Sequence, residues 1–398
     1  MCHAAFEFCY SNLSGSAPFR EVCCTRIDGG IAVAIRKLLL SVVLLLAACE
    51  SGAKRVYQMT FEPPSGWSGG AISKAPKDQR TYLGNFAPGK PVTLSIAKLP
   101  KHERVRISFD FLVMGGWSGS STVFGYSRWD METGDGRSLI HTTFCNWGGA
   151  YTNNNEQAFP ETYPARPYPG WTLAAEKQTL GTMINTQYGK PYDASAVYHF
   201  DLTFPHTAEN ISFGFYSMEQ GWKEKYFGFA NVVVEALPAS PALTEAQLAG
   251  LWKDLGDMNP QKFFAAQWKL IAAGDQAVDY IAKHIDENID PSGAYLAELV
   301  ESLKKATDEN GPRIYDDVTR LGYIAIAPLR AAAADGAIDA KTKAMLDRAR
   351  VDAKRYNESP TQLRQFRTRH LLQVIHSPAA MSLRLSIPEP PPRNLDLN

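Results

Sequence analysis

Between residues 105 and 113 apolar and polar side chains alternate. Val105, Ile107, Phe109, Phe111 and Val113 interleave with Arg106, Ser108, Asp110 and Leu112. Successive side chains of a strand point to opposite faces, so this period of two predicts a strand with one buried face. Tyr198, Phe200, Leu202 and Phe204 repeat the pattern, as do Ile211, Phe213 and Phe215. Residues 128–132 and 137–144 flank Thr133, Gly134, Asp135 and Gly136, a glycine-rich turn that reads as a hairpin. With Gly and Pro punctuating these runs and no amphipathic helix among them, residues 57–237 are expected to form an antiparallel β-sandwich.

The aromatic residues mark where that fold ends. Of the 44 Phe, Trp and Tyr residues, 30 lie in 57–237 and ten follow Pro241, where Ala, Leu, Asp and Arg take over. Pro238, Ala239, Ser240 and Pro241 supply a stiff linker at the break, so 242–386 is expected to be a second, all-α domain. Thr244 and Gln247 form a capping box before Leu248, Leu251, Trp252 and Leu255. Asn259 and Pro260 start a helix striped by Phe263, Phe264, Trp268 and Ile271. Further short helices are predicted over 277–285, 295–305, 314–321, 324–333, 341–356 and 362–375. Such a succession suggests an α-solenoid-like helical repeat or a compact bundle. Residues 387–398, rich in Pro, read as a disordered tail.

Arg36 and Lys37 precede an apolar run over 38–48 that ends at Leu46, Ala47, Ala48 and Cys49. Eleven residues are too few to span a bilayer of roughly 30 Å but suit the apolar region of an export signal. A signal's charged region belongs near the start of a chain, so translation is expected near Val33, with residues 1–30 outside the protein. Residues 1–48 are then precursor and 49–56 a polar tether. Leu46, Ala47, Ala48 and Cys49 resemble the lipobox of bacterial lipoproteins. That resemblance implies a diacylglyceryl group on the Cys49 thiol, cleavage before it, and attachment of the exported protein to a membrane of the cell envelope.

A second resemblance runs through the sandwich segment. It is carried by Phe61 and Glu62, Trp67 and Ser68, Tyr82 to Phe86, Val92 to Ser95, Ser108 to Phe111 with Trp117, Leu139 to Phe144, Gln157 to Pro160, Thr203 to Thr207 and Gly228 to Val234. In that order they resemble a secreted bacterial module of the jelly-roll, galactose-binding-like or carbohydrate-binding-module kind. The helical segment is similar to HEAT-like segments of extracytoplasmic bacterial proteins, through 251–255, 266–270, 299–303, 321–329 and 361–375. The sandwich resemblance implies a glycan ligand and a structural calcium held by a Glu on the first strand and an Asp on the last. Glu62 stands at the first position, but Ala230 replaces the Asp, which weakens such a site. The helical resemblance implies a surface for a protein partner.

Equal numbers of basic and acidic residues, 41 of each, remove any global electrostatic argument for nucleic acid, which binds through phosphate neutralisation by a basic surface. His102, His141, His199 and His206 lack metal-ligand spacing, and neither a P-loop nor a dinucleotide fingerprint occurs. Trp67, Trp117, Trp147, Tyr151 and Trp171 lie in Gly-, Ser- and Pro-rich surroundings and are the candidate sugar-stacking residues, although aromatics in a sandwich also fill its core. Asp130 and Glu132, two apart on a strand, share a face as a retaining glycosidase pair would; the strand resembles the carboxylate strand of some sandwich-fold glycosidases, but that resemblance would put the nucleophile where Arg128 stands. Cys145 reads as a buried thiol. Lys354, Arg355, Arg364, Arg367, Arg369 and His370 form a basic run that reads as a solvated helix face or an anionic-lipid contact.

The expected protein is therefore a non-enzymatic, lipid-anchored envelope protein that presents a glycan-binding jelly-roll on a helical scaffold. The alternatives are a structural or assembly lipoprotein with protein partners only, and a sandwich-fold glycosidase. Cys49→Ser is expected to abolish incorporation of a labelled fatty acid and to move the protein into the soluble fraction. Labelling unchanged by that substitution would refute the lipobox.

Overall fold

The computed structural model describes residues 52–388 apart from 62–64, 122–124, 148–155, 165–167, 186–190, 220–224, 287–292, 308–310, 321–322, 337 and 353–359. Cys49, Glu62, Tyr151, Lys354, Arg355 and most of the tail lie outside the described residues.

The strands are β1 (Lys54–Gln58), β2 (Ala71–Lys74), β3 (Thr81–Phe86), β4 (Val92–Ile96) and β5 (Arg104–Gly115). Next come β6 (Ser127–Thr133), β7 (Ser138–Thr143), β8 (Glu156–Gln157), β9 (Tyr168–Pro169) and β10 (Glu176–Lys177). The last are β11 (Met183–Asn185), β12 (Pro191–Asp193), β13 (Ser195–Pro205), β14 (Ile211–Glu219) and β15 (Lys225–Leu237). Seven of them make one antiparallel sheet in the order β10-β13-β5-β15-β3-β2, with β1 added on β15. Four make a second, β4-β14-β6-β7. Here β1 begins within the segment expected to be a tether.

The alternation read from the sequence is what joins the sheets. Register places Phe109 opposite Phe200 and Phe111 between Tyr198 and Phe229, all facing inward. From the other sheet Trp129 meets Phe111 at 4.2 Å between ring centroids, and Phe215 meets Phe229 at 4.5 Å. In β15 the register slips by one residue between Ala230 and Val233, where Asn231 adopts φ 55°. That bulge turns Val232 and Val234 back into the core.

One edge of the four-stranded sheet is β7. Residues 159–163 run along it, with Phe159 N donating to Thr143 O at 3.2 Å and Tyr163 N to His141 O at 2.7 Å. Gln157 fixes the start of this strap: its buried amide oxygen accepts from the amides of Cys145 and Trp171 and the Tyr198 hydroxyl, while its nitrogen donates to the carbonyls of Phe159 and Thr172.

Helices α1 (Glu245–Leu255), α2 (Pro260–Ala273), α3 (Asp275–His284), α4 (Gly293–Lys304) and α5 (Gly311–Arg320) follow. The remainder are α6 (Tyr323–Ala333), α7 (Ala340–Asp352), α8 (Pro360–Ile375) and α9 (Pro378–Ser386). The predicted capping box of Thr244 and Gln247 and the Asn259 cap are both present. Helix α9 was not anticipated, although Ser377 before Pro378 is a cap followed by a first-turn proline. Ile387, expected in the tail, is buried, and Arg369 donates to its carbonyl.

The hydrophobic core does not stop at Pro238. One buried cluster runs from the sheets through Trp252, Leu270, Ile271, Ile281, Leu371 and Val374, and Phe159 meets Phe264 at 5.3 Å. Helices α4 to α7 share a second cluster that includes Leu303, Val318, Leu329 and Leu346. In a one-dimensional stack each unit touches only its neighbours. Here the late helix α8 lies against α2, β13 and β7, and α9 against α3.

The basic run of α8 is where sheets and helices are joined. Arg364 and Arg367 are buried, and this corrects the expectation of a solvated or lipid-facing surface. Arg367 donates to Glu161 Oε1 from Nε at 2.9 Å and from Nη2 at 2.7 Å, and from Nη1 to Leu255 O at 2.6 Å and Asp257 O at 2.7 Å. Its guanidinium lies 3.5 Å from the Phe263 ring centroid. Arg364 sits over the Trp252 ring at 4.8 Å. Removing one partner of a buried pair leaves an uncompensated charge and costs about 3–5 kcal/mol. Glu161→Gln is therefore expected to lower the urea midpoint strongly, with the amides of α8 and β13 opening at the same denaturant concentration in hydrogen exchange. Opening of α8 well before β13 would contradict the shared core.

Candidate functional site

Because β6 alternates, Trp129 and Met131 enter the core and Arg128, Asp130 and Glu132 project from the outer face of the four-stranded sheet. Register sets Asp130 between His141 of β7 and Tyr216 of β14, and Glu132 opposite Gly214. Nothing lies within 4 Å of the place a Gly214 side chain would occupy, so the face is open there.

Asp130 organises this face. His141 Nδ1 lies 2.5 Å from Oδ1, and Arg128 Nε donates to Oδ2 at 2.9 Å. A carboxylate only accepts, so His141 Nδ1 carries the hydrogen and Nε2 remains an acceptor in the neutral ring. The Asp130 side chain is 7% exposed, whereas His141 is 33% exposed. Tyr163, brought by the strap along β7, places its ring 6.3 Å from His141 and 5.9 Å from Tyr126. Tyr126 in turn donates to Met218 Sδ at 3.2 Å. Burial pushes the Tyr163 phenol up, Tyr126 adds to this, and Arg128 works against it. A fixed guanidinium, an imidazole acceptor and two neighbouring tyrosine rings thus converge on one surface.

The indoles chosen from sequence lie elsewhere. Trp117 is wholly buried, with Nε1 donating to Met114 O at 3.0 Å and Tyr226 O at 3.1 Å, and it meets the Phe111 ring edge-on. It presents no face to a ligand, which corrects its selection. Trp67 packs on Phe215 and Phe229 and donates to the Tyr57 hydroxyl at 2.9 Å, pinning the turn before β2. Trp147 and Trp171 belong to one loop cluster: Trp171 N donates to Cys145 O, and a side chain on Gly170 would meet Trp147 O at 3.0 Å. Trp147 is half-buried and parallel to Tyr192 at 5.9 Å, while Lys177 Nζ lies 5.6 Å from the Trp171 ring. Tyr126 and Tyr216 were not singled out from sequence; the period of two puts Tyr216 on the outer face of β14, but its place opposite Asp130 is set by the register of β14 on β6.

Ala230, in the position of the expected calcium-binding Asp, is buried opposite Asp110. Among the described residues no group of three or more His, Cys, Asp and Glu side chains could hold a metal ion. No described helix is long and apolar enough to cross a membrane. Cys145 is buried and outside any disulfide.

At the end of β14, Glu219 and Lys225 are buried together, Nζ to Oε2 3.7 Å, and Nζ also donates to Ser127 Oγ at 3.1 Å. Burial pushes Glu219 up to about 7 against the opposing pull of Lys225, whose own ammonium burial pushes down.

No family model matches this chain, and no curated protein does. Among solved structures it is similar to the CBM22-1 xylan-binding domain from Paenibacillus barcinonensis Xyn10C, at 10% identity and a TM-score of 0.23, over 48% of this chain and 100% of that one. It is also similar to the carbohydrate-binding module CBM6cm-2 from Cellvibrio mixtus lichenase 5A, at 12% identity and TM-score 0.21, over 46% and 98%. Against the GH115 4-O-methyl-α-glucuronidase BtGH115A the figures are 10% and 0.26, over 46% of this chain but only 17% of that one. Likeness at this level assigns no activity.

Titration of the buried groups has a consequence for stability. Glu219 binds a proton more readily folded than unfolded, so its contribution is full below pH 4.5 and is lost as pH rises through about 7, roughly 2–3 kcal/mol. His206, pushed down to about 4 by burial with His102 and Arg137 nearby, acts oppositely: its contribution is lost as pH falls from 6.5 through about 4. Glu219→Gln is expected to remove the opposing trend, so that stability falls more steeply than in wild type on acidification below pH 6.5. Parallel stability curves for wild type and variant would exclude a titrating Glu219.

Proposed function

We propose that this chain is a non-catalytic saccharide-binding protein, that its ligand lies on the outer face of the four-stranded sheet, and that Cys49 anchors it to an envelope membrane. The single observation carrying the binding reading is the fixing of Arg128 and His141 by one buried carboxylate beside Tyr163 and Tyr126. A pyranose ring offers adjacent hydroxyls, which suit preorganised donors and acceptors, and an apolar C–H face, which suits an aromatic ring. Arg128 and Asp130 cancel each other's charge, which favours a neutral saccharide over a polyanion.

The arrangement also favours binding over hydrolysis. Glycosidases need one carboxyl to protonate the leaving group and another to attack or activate water. Both oxygens of Asp130 are engaged by Arg128 and His141. Its part is to hold those two side chains.

The test uses the full chain, because the sheets share their core with the helices. Titration calorimetry with cello-, xylo-, manno- and laminari-hexaose is expected to find at least one ligand. Tyr163→Ala and Arg128→Met should each weaken it about tenfold or more, the loss of one stacked ring or one charge-assisted hydrogen bond. Binding that survives both substitutions would place the ligand elsewhere, and an empty panel would favour a lipoprotein with protein partners only.

A further inference from the structure

Residues 161–163 are held by successive side chains on different sides. Glu161 is gripped by Arg367, Thr162 meets His370, and Tyr163 reaches the candidate face. The segment is also laced to β7, by Tyr163 N to His141 O at 2.7 Å and Thr142 Oγ1 to Glu161 O at 2.8 Å. His370 completes the frame from α8. Its Nε2 lies 3.1 Å from Ser138 O, which can only accept, so Nε2 carries the hydrogen. Its Nδ1 is then the acceptor for Thr162 Oγ1 at 3.1 Å, with Gln267 Nε2 of α2 at 3.4 Å. The geometry uses a neutral imidazole in one tautomer.

We propose that His370 is a positioning residue for the ligand face, its neutral ring holding Thr162 and hence Tyr163 in place from the helical layer. This rests on the saccharide reading for its binding consequence, but not for its structural one. A proton on Nδ1 would turn the acceptor into a donor facing the Thr162 hydroxyl and the Gln267 amide. Burial, with His141 from β7 and Arg384 from α9 as the ionisable groups acting beside it, pushes His370 down to about 4. Glu161, the acid on the same strap, is engaged by Arg367. The helices thus contribute to ligand recognition without touching the ligand, and they make it acid-sensitive.

The experiment labels the full chain with 3-fluorotyrosine, assigns Tyr163 by loss of its resonance in Tyr163→Phe, and follows it from pH 7 to pH 4 with near-ultraviolet circular dichroism monitoring the fold. In wild type the Tyr163 resonance should move in step with the His370 imidazole carbon signal. In Thr162→Val it should not follow that titration. His370→Gln, which can donate and accept but not titrate, should keep the neutral-pH position throughout. At pH 7, Thr162→Val should weaken whichever hexaose wild type binds about three- to tenfold, with His370→Gln nearer wild type. A Tyr163 signal that stays still while His370 titrates, or that follows it equally in Thr162→Val, overturns the proposal. Failure of every protein to bind a hexaose overturns the saccharide reading instead and leaves the fluorine result to decide the positioning.

Discussion

A guanidinium removed from water must find an acceptor for each of its five hydrogens, and Arg367 finds them in Glu161, the Leu255 and Asp257 carbonyls and the Tyr168 hydroxyl. Those acceptors come from the strap along β7, from the end of α1 and the turn after it, and from β9. A single side chain on α8 therefore fixes three parts of the chain relative to one another. Burial disfavours its charge and the Glu161 carboxylate outweighs that effect, so the guanidinium keeps its charge in the interior. Much else follows from its placement. The helices α2 and α8 close the flank of the sandwich, and the strap is held between them and the sheet edge.

The strap solves a problem common to β-proteins. An edge strand offers unpaired amides and carbonyls to any other strand, and β7 would be such an edge. Residues 159–163 bond to part of it, Gln157 anchors their beginning, and α8 packs against the outside. The same covering carries Tyr163 to the face that Asp130 organises. Protection of the edge and construction of the site are thus done by one short segment.

What could be read from the sequence was whatever depends on near neighbours. The period of two in β5, β13 and β14, the turn at 133–136 and the caps at Thr244 and Asn259 are local, and the structure has them where they were expected. The meaning of Arg364, Arg367 and His370 is not local. A basic run on a helix looks solvated until its partner is known, and Glu161 carries no pattern that marks it as that partner. Trp117 misled for a related reason. An indole offers a flat apolar face to a ligand, but it is also among the largest pieces available to fill a core, and for Trp117 burial decided between those uses. The tyrosines at the face follow from register combined with the strap, and the strap's course depends on the helices.

Glu161 and Arg367 are separated by 206 residues. During synthesis both sheets can emerge in full, through β15, well before α8 exists. In that interval the flank formed by Phe159, Tyr168 and β13 has no cover, and the carboxylate destined for burial has no counter-charge. Sheets that form before α8 is available expose an aromatic surface, the kind of state that is prone to aggregate. The chain's safe passage depends on how it is sheltered during elongation as well as on the stability of the finished fold.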